Sequence, residues 1–428
     1  MSETVKAGYK QTEVGVIPAE WEVKSVYEIG QIKTGPFGTL LKANEYSVND
    51  GVPLISVGEV GQGCFRITEH TPRVPERVVR RLPQYVLRTG DIVFGRKGAV
   101  ERSALVTEAE DGWFLGSDGI SIRPSGQHYP PYLAAQLQSR AVQSWLTQNA
   151  IGTTMPSLNQ CVLGSVQIPL ATESEQRAIA AALSDVDTLL NGLDRLIAKK
   201  RDIKQATMQQ LLTGQTRLPG FQGGWKVKRL GDHLTFLRNG INSRAELDKD
   251  GPLKYLHYGD VHTASKIRLD PISTYLPALT EERARSLDRL CEGDLIFVDA
   301  SEDISGIGKS VEIANIADTQ LVSGLHTIAA RFDKTVLADG FKAYLQFCPT
   351  FRSHLCRLAA GTKVYATNRA HIASAQIALP ALEEQTAIAE VLSDLDAEIT
   401  ALEARRDKTR ALKQGMMQEL LTGRTRLI

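Results

Sequence analysis

Net charge, long apolar runs and cysteine are all scarce in this chain, and each scarcity excludes a class of protein. The 428 residues carry a formal net charge of +1, which excludes a strongly basic protein but permits local basic faces. No apolar run approaches the ~18 residues that a membrane span needs, and the N-terminal segment lacks the apolar core of a secretory signal. We therefore expect a cytoplasmic protein that does not bind membranes.

The few cysteines are scattered along the chain and include no CxxC pair. A zinc site or redox motif is therefore not expected. Buried, reduced thiols in a cytoplasmic protein are the simpler interpretation of this pattern. The five positions are Cys64, Cys161, Cys291, Cys348 and Cys356.

Complete catalytic motifs are also missing. The segment 129–132 resembles the Asn/Asp-Pro-Pro-Tyr signature of adenine methyltransferases, but it begins with tyrosine, which cannot supply the amide or carboxylate that holds the adenine amino group. The segment 308–310 resembles the end of a phosphate-binding loop, but Asp303 occupies the position of a required glycine. His257 and His262 lack the helical HExxH pattern of a zinc site. The sequence therefore predicts neither catalytic nor metal-binding residues in this chain.

The most informative feature that is present is an internal repeat. Residues 175–218 and 384–427 align at a constant offset of 209 without a gap, and 23 of the 44 aligned positions are identical. Such a repeat is typical of a protein with two like sites, or with one site on a pseudo-twofold axis. Neither copy contains proline, and both exceed the usual length of a globular helix. Each copy is therefore predicted to form one long helix.

Apolar residues in both copies recur at steps of three and four, which places them on one face of a helix. This spacing is typical of a coiled-coil seam. Packing of each stripe on its own globular domain is the alternative, but the duplication offers each helix a matching partner. The predicted seam residues are Ile179, Leu183, Val186, Leu190, Leu193, Ile197, Ile388, Leu392, Leu395, Ile399 and Leu402. Leu412, Met416 and Leu420 are expected to continue the second stripe.

Connection lengths predict the direction of the two helices. Gly214 is a plausible C-cap, and Pro219 is a stop signal just before the second globular region. The second helix leaves that region, so a helix that pairs with the first must run back along it. The pair is therefore expected to be antiparallel, and each helix is ~60 Å long at 1.5 Å per residue.

The expected fold class is α+β, with two mixed α/β domains separated by two long helices that form an antiparallel coiled coil. The apolar runs at 91–94 and 294–297 are predicted to be equivalent strands of the two domains. Residues 132–146 and 341–359 are predicted to be helices, the second broken at Pro349. The domains are assigned to 1–171 and 215–380, and the spacer helices to 172–214 and 381–428.

Polar loops with aromatic residues occupy equivalent places in the two halves. Arginine, lysine, asparagine and threonine are side chains that contact base edges and phosphates, so matched sets of them favour DNA binding. For any single residue, ordinary polar surface is the simpler explanation. Candidates in the first half are Lys33, Phe37, Arg96, Lys97, Thr153, Thr154, Ser157 and Asn159. Candidates in the second half are Arg238, Asn239, Asn242, Arg244, Thr362, Lys363, Thr367 and Asn368.

The chain resembles the specificity subunits of type I restriction-modification systems over nearly its whole length. The most specific similarity lies in EQRAIAAALSDVD at 175–187, in EQTAIAEVLSDLD at 384–396, and in the endings MQQLLTGQTRL and MQELLTGRTRL. The lead-in segments 167–176 and 376–385 resemble the junction between domain and helix in that family. The resemblance implies two target recognition domains held apart by an antiparallel coiled coil.

The same resemblance implies a DNA-binding subunit that reads an asymmetric, bipartite target with a degenerate spacer of fixed length. The implied partners are double-stranded DNA, two methylation subunits and, in the full complex, restriction subunits. No cofactor is implied for this chain, because S-adenosylmethionine binds the methylation subunits, and ATP with magnesium binds the restriction subunits. Base-reading residues vary between family members, so none carries over to this sequence.

Two other classes of function remain open at this level. A two-headed adaptor that recruits proteins and no DNA would have the same helix repeat. Salt distinguishes the two, because affinity for DNA falls steeply as salt is added. A standalone enzyme is disfavoured by the incomplete motifs.

Overall fold

The chain folds into two compact units, and the boundary between them falls inside both long helices. The computed structural model describes residues 5–152, 154–359 and 365–427. Unit 1 comprises Met1–Asp194 with Ala404–Ile428, and unit 2 comprises Arg195–Glu403. Each unit therefore contains one globular head together with a part of each helix.

The head of unit 1 alternates short strands and short helices, as the sequence predicts for a mixed α/β domain. Its strands are β1 (Tyr9–Thr12), β2 (Gly15–Pro18), β3 (Glu22–Ser25), β4 (Gly30–Thr34), β5 (Val52–Ile55), β6 (Arg73–Val74), β7 (Ile92–Gly95), β8 (Ser103–Leu105), β9 (Phe114–Leu115), β10 (Gly119–Pro124) and β11 (Gln167–Leu170). Its helices are α1 (Val26–Ile29), α2 (Glu76–Arg81), α3 (Pro130–Leu137), α4 (Arg140–Asn149) and α5 (Gln160–Gly164). The long helix α6 (Glu173–Thr213) follows β11.

Four antiparallel strands form the main sheet of unit 1, in the order β4-β10-β7-β8. All four residues of β7 are buried, because this strand is flanked on both sides and carries an apolar run. A second sheet of order β6-β5-β9 contains the parallel pair β5–β9. Strands β3 and β11 pair beside the start of α6. The predicted strand at 91–94 is thus the inner strand β7.

The head of unit 2 repeats this plan. Its strands are β12 (Lys226–Arg229), β13 (Leu234–Phe236), β14 (Leu253–Leu256), β15 (Arg268–Leu269), β16 (Leu295–Val298), β17 (Ala300–Ser301), β18 (Ser310–Ile313), β19 (Gln320–Ser323), β20 (Thr327–Phe332), β21 (Tyr365–Ala366) and β22 (Gln376–Leu379). Its helices are α7 (Tyr258–Thr263), α8 (Pro349–Leu358) and α9 (Arg369–Ser374), and the long helix α10 (Leu382–Leu420) follows β22. The predicted break at Pro349 is confirmed, because a 3-10 helix, Lys342–Phe347, ends before it and α8 begins there.

The main strand pairings of unit 1 recur in unit 2. The main sheet has the order β13-β20-β16-β18-β15, whose first four strands correspond to β4-β10-β7-β8. The parallel pair β14–β19 corresponds to β5–β9, and the antiparallel pair β12–β22 corresponds to β3–β11. The predicted fold class, two related mixed α/β domains with two long helices, is therefore confirmed.

The repeated segments form long helices with matching ends. Helix α6 has 41 residues and α10 has 39. Gly214 and Gly423, which are 209 residues apart, both adopt a left-handed backbone with φ of 69°. This conformation at the residue after the last turn is a common helix C-cap, and glycine adopts it without steric cost.

Most of the predicted seam residues are buried. The buried ones are Ile179, Leu183, Leu190, Leu193, Ile197, Ile388, Leu392 and Ile399, and the half-buried ones are Val186, Leu395 and Leu402. The expectation that Leu412 continues the stripe was wrong, because this side chain is 60% exposed. Thr409, three residues earlier, is buried instead. The buried face of α10 therefore includes Thr409, and not Leu412, before Met416.

Matching ion pairs between the helices establish their direction within each unit. In unit 1, Lys413 Nζ lies 2.6 and 2.7 Å from the two carboxylate oxygens of Asp187. In unit 2, Lys204 Nζ lies 2.5 Å from Asp396 Oδ1. The two pairs are equivalent under the offset of 209. A second pair in each unit gives the direction: Asp194 pairs with Arg406 in unit 1, and Lys200 pairs with Glu398 in unit 2. In both units the residue numbers fall along one helix as they rise along the other, so the helical segments are antiparallel.

In unit 1, a buried polar junction ties the end of α10 to the start of α6. The Glu175 side chain, which is 2% exposed, accepts hydrogen bonds from Trp21 Nε1 at 2.9 Å and from Arg426 Nη2 at 2.8 Å. The Arg426 guanidinium also pairs with Glu20 and lies 5.8 Å from the centre of the Trp21 ring. The hydrogen bonds to Glu175 raise the pKa of Arg426. The junction therefore combines a buried ion pair, a hydrogen bond from the indole and a contact between the guanidinium and the indole ring.

Unit 2 contains the equivalent junction with one difference. Arg217 pairs with Glu384, which is 1% exposed, and the guanidinium lies 5.9 Å from the centre of the Trp225 ring. Among the described residues, the buried Trp225 Nε1 has no hydrogen-bond partner. The second junction therefore keeps the ion pair and the stacking but lacks the bond from the indole to the carboxylate.

The expectation of buried thiols was wrong for three of the cysteines, because Cys64, Cys161 and Cys291 are exposed, while Cys348 is buried.

One helix was predicted too long. Residues 132–146 divide into α3 and α4, because Ser139 adopts an extended backbone and its Oγ accepts from Val142 N as an N-cap. Over the ranges that the structure describes, no helix combines the length and apolar character needed to span a membrane.

Candidate nucleic-acid interface

In unit 1, four loops meet at one edge of the main sheet. Strands β4 and β7 end there, and β10 begins there, because Thr34 pairs with Ile120 and Gly95 pairs with Gly119. Residues 154–158 join this edge through the bond from Leu158 N to the Arg96 carbonyl at 2.7 Å. The sequence placed candidate residues in several of these loops, and the sheet register brings the loops together.

An arginine, two lysines and an exposed aromatic ring occupy this edge in unit 1. Phe37 is 61% exposed, and the Arg96 guanidinium lies 5.8 Å from the centre of its ring. Lys97 Nζ is 3.1 Å from Asp118 Oδ1. Lys33 Nζ lies 5.6 Å from the centre of the Tyr85 ring. A cation held over an aromatic face keeps its charge while remaining available to phosphate or base edges.

Some of the remaining candidates of unit 1 form hydrogen bonds within the loop, and others are exposed to solvent. Asn159 caps α5, because its Oδ1 accepts from Val162 N at 2.8 Å. Ser157 is held by backbone bonds to Ile151, and Thr154 is exposed. Thr153 lies outside the described residues. Asn159 and Ser157 therefore have roles in the loop itself, and their contact with DNA stays a prediction.

Unit 2 has the same edge, formed by loops after β13, after β16 and between β19 and β20. The register pairs Phe236 with Ala330 and Val298 with Thr327, as in unit 1. The backbone bond from Asp299 N to the His326 carbonyl, 3.2 Å, corresponds to the bond from Arg96 N to the Asp118 carbonyl, 2.8 Å. The two heads therefore present equivalent backbone positions with different side chains.

The ring of Tyr255 fixes the loop after β13 in unit 2. A Cβ on Gly240 would lie 2.7 Å from Tyr255 Cε2, and one on Gly324 would lie 2.3 Å from Cε1, so only glycine fits on either side of this ring. The Tyr255 hydroxyl donates to the Asn242 carbonyl at 3.1 Å and accepts from Leu325 N at 2.9 Å. These contacts hold the two loops together.

Several candidates of unit 2 have intramolecular partners. Arg238 pairs with Asp288, and the bond from Arg238 N lowers the pKa of that carboxyl. Arg244 Nη1 lies 2.7 and 2.8 Å from the carboxylate oxygens of Asp260. Asn239 Oδ1 accepts a hydrogen bond from Arg369 Nη2 at 3.1 Å. The Arg238 and Arg244 side chains remain 69% and 53% exposed, so both still offer positive charge to solvent.

The other candidates of unit 2 support the loop or fall outside the described chain. Thr367 is buried, and its backbone N donates to the Asp299 carbonyl at 2.8 Å. Asn368 caps α9 by accepting from His371 N at 2.9 Å. Thr362 and Lys363 lie outside the described residues. The equivalence of Asn159 and Asn368 thus has a structural explanation as a repeated helix cap.

Sequence reasoning missed exposed side chains at this edge of unit 2. Tyr258 is 36% exposed, Ile241 is 83% exposed, and the His326 side chain is 51% exposed. Burial lowers the pKa of the neighbouring His257. The turn that carries His326 could have been recognised, because Gly324 interrupts two apolar runs and indicates a turn between strands. Over the described part of the chain, no cluster of three His, Cys, Asp or Glu residues could hold a metal ion.

Comparison with known proteins identifies the family. The model of the type I restriction modification DNA specificity domain matches residues 18–201 and 333–410, together more than half of the chain. The type I restriction enzyme StySPI specificity subunit of Salmonella potsdam is 23% identical over 426 residues, which cover 95% of this chain and 89% of that protein. The type I restriction enzyme MjaVIII specificity subunit of Methanocaldococcus jannaschii is 29% identical over 215 residues, about half (49%) of each chain.

A solved structure has the same fold. The S subunit of a type I restriction-modification system from M. genitalium superposes with a TM-score of 0.57 at 13% identity, covering 94% of this chain and 96% of that one. The chain belongs to the family of type I restriction-modification specificity subunits, in agreement with the resemblance in its repeated helices.

Proposed function

We propose that this chain is the DNA-recognition subunit of a type I restriction-modification complex and reads an asymmetric, bipartite DNA target. The supporting observation is the pair of equivalent sheet edges, which share backbone geometry but differ in side chains. Arg96 and Asp118 occupy in unit 1 the positions that Asp299 and His326 occupy in unit 2. Two sheet edges that have the same backbone geometry but different side chains are suited to two different half-sites.

The chain itself is proposed to be non-catalytic. The segments 129–132 and 308–310 serve the fold: Pro130 starts helix α3, and Ser310 starts strand β18. Methylation and restriction are assigned to partner subunits, which would hold S-adenosylmethionine and ATP with magnesium respectively. The repeated helices offer two equivalent surfaces, which supports the binding of two methylation subunits.

A methylome tests this function directly. The chain is expressed with its cognate methylation subunit in a methylation-free host, and the genomic DNA is sequenced for modified adenine. We expect one motif with two unlike specific parts and a degenerate gap of constant length. A folded complex that co-purifies but modifies nothing, and whose DNA affinity does not fall with added salt, would support the adaptor function instead.

The length of α6 is expected to set the length of the degenerate gap. Inserting four helix-forming residues between Gln210 and Leu211 adds about 6 Å of helix and leaves the buried Leu211 and Leu212 in the core of unit 2. We expect a gap longer by one or two base pairs, at about 3.4 Å per base pair, with both specific parts unchanged.

A length-preserving variant is the control for that insertion. Gln209 and Gln210 are exposed in α6, so replacing both with alanine changes the local sequence without changing the helix length. This double variant should keep the wild-type gap in the same methylome assay. An insertion variant that modifies the wild-type motif at full efficiency would contradict the role of α6 as a ruler.

A further inference from the structure

The two heads carry different side chains where the strands β5 and β14 end. In unit 1, Ser56 N donates to Glu59 Oε2 at 3.0 Å, and in unit 2, His257 N donates to Asp260 Oδ2 at the same distance. This shared turn aligns Ser56 with His257, and therefore Val57 with Tyr258. Unit 2 thus places two rings where unit 1 places a hydroxyl and a small apolar side chain.

Tyr258 lies among three imidazole rings. Its ring centre is 4.5 Å from that of His257, 6.0 Å from that of His262 and 5.5 Å from that of His326. The last two rings meet Tyr258 edge-on, at 88° and 86°. The phenol ring therefore fixes the direction of the exposed His326 ring. Edge-to-face contacts of this kind are a favourable arrangement of aromatic rings.

His326 is held in place by its backbone as well. Its φ of 57° lies in the left-handed region, which is uncommon for residues other than glycine. The turn that carries it is pinned by buried hydroxyls, since Ser323 Oγ and Thr327 Oγ1 are 2.6 Å apart and Thr327 Oγ1 donates to the Gly324 carbonyl at 2.6 Å. A less common backbone that the surroundings enforce is often found at a functional position.

Asp299 determines which nitrogen of His326 faces outward. His326 Nδ1 lies 3.1 Å from Asp299 Oδ1, and a carboxylate accepts, so Nδ1 carries the proton. In the neutral ring, Nε2 is then left as an acceptor. An acceptor on a fixed, exposed ring suits the exocyclic amino group of adenine or cytosine in the major groove. In unit 1 the equivalent positions hold Arg96 in place of Asp299 and Asp118 in place of His326.

We propose that His326, supported by Tyr258, reads a base in the half-site bound by unit 2, and that Asp299 is its positioning residue. The proposal rests on the DNA-recognition function proposed above. Ile241, exposed at the tip of the loop that Tyr255 fixes, lies at the same sheet edge and provides an apolar contact of the kind that thymine methyl groups accept.

The test replaces His326 in the full chain and reads the methylome with the cognate methylation subunit. His326→Gly removes the ring while keeping a residue that adopts positive φ without strain, and His326→Asn keeps a polar side chain that tolerates the same backbone. We expect a loss of discrimination of about tenfold or more at one or two adjacent base positions of one half-site, as for a lost base contact. The other half-site and the gap should not change.

Three further variants test whether the change in base specificity comes from the His326 side chain. Arg96→Ala in unit 1 should alter only the other half-site. Asp299→Asn should weaken discrimination at the positions that His326→Gly affects and at no others, which a merely structural role would not produce. His233→Ala should leave the methylated motif unchanged. His233 directly precedes β13, whereas the loop that contains Ile241 follows this strand at its other end.

The possible results distinguish the role of His326 from the DNA-recognition function of the whole chain. A wild-type chain that yields no bipartite motif contradicts the DNA-recognition function itself. A wild-type bipartite motif that His326→Gly leaves unchanged at every position overturns the role of His326 alone. An effect of His326→Gly on both half-sites also overturns it, because the residue is then acting on the fold of the complex.

Discussion

Replacing Glu175 with alanine is expected to lower the free energy of unfolding by about 3 kcal/mol. The change leaves the buried Trp21 Nε1 without an acceptor and removes the main partner of Arg426. Breaking a buried pair typically costs about 3–5 kcal/mol. The lower value applies here because Arg426 keeps Glu20 and its side chain is 21% exposed. Urea titration followed by tryptophan fluorescence measures the effect.

The equivalent change in unit 2 provides an internal comparison. Glu384→Ala removes the partner of Arg217 but no indole bond, because Trp225 Nε1 has no partner among the described residues. Its effect should be smaller than that of Glu175→Ala by about one hydrogen bond, or about 1 kcal/mol. Equal losses at the two positions would show that the bond from Trp21 contributes nothing measurable.

An exposed ion pair in the same helix is the matched control. Glu173 pairs with Arg177 one turn apart, and both side chains are largely exposed. Glu173→Ala should cost less than about 0.5 kcal/mol, because solvent screens such pairs. A loss as large as that of Glu175→Ala would attribute the effect to the helix terminus and not to the buried junction.

Exchanging residues 1–170 for the first domain of another specificity subunit is expected to replace one specific half of the DNA target completely. The other half should be unaffected, because each unit carries its own sheet edge and its own core. The junction falls just before α6, so the repeated helix is left intact. Methylome sequencing of the exchanged chain measures the result.

The exchange also has a structural requirement. In unit 1 the head contacts the end of α10, since Gln136 Nε2 donates to the Leu421 carbonyl at 2.8 Å and Tyr9 donates to the Gly423 carbonyl at 2.9 Å. A donor domain that keeps Trp21 and Gln136 should fold into an active chain. The reciprocal exchange of residues 215–380 is the control and should replace the other half. A change in both halves after either exchange would contradict independent recognition by the two units.

The architecture could be predicted because it depends on long, repeated patterns. The apolar stripe of the helices, the C-cap at Gly214 and the offset of 209 are all properties of the sequence that local physics converts into structure. The stripe fails at Leu412 for a related reason. Spacing alone does not distinguish it from Thr409, and only the structure shows that Thr409 is the buried one of the two.

The candidate interface could be predicted only in part. Phe37, Arg96 and Lys97 lie at the sheet edge, as the matched loops suggested. Asn159 and Asn368, in contrast, owe their equivalence to helix capping, which the sequence pattern did not separate from DNA contact. His326 was missed because a single histidine in a turn has no periodic signal, and its neighbours Tyr258 and Asp299 are distant along the chain.

The sequence by itself determined the duplicated plan, the two long helices and the family, because each depends on residues that are close together or regularly spaced. Tertiary structure alone decided which side chains meet at the two sheet edges and at the buried junctions. Those contacts join residues far apart in the chain, such as Glu175 with Arg426. Strand register and helix direction bring them together, and a difference of one register position would place other residues there.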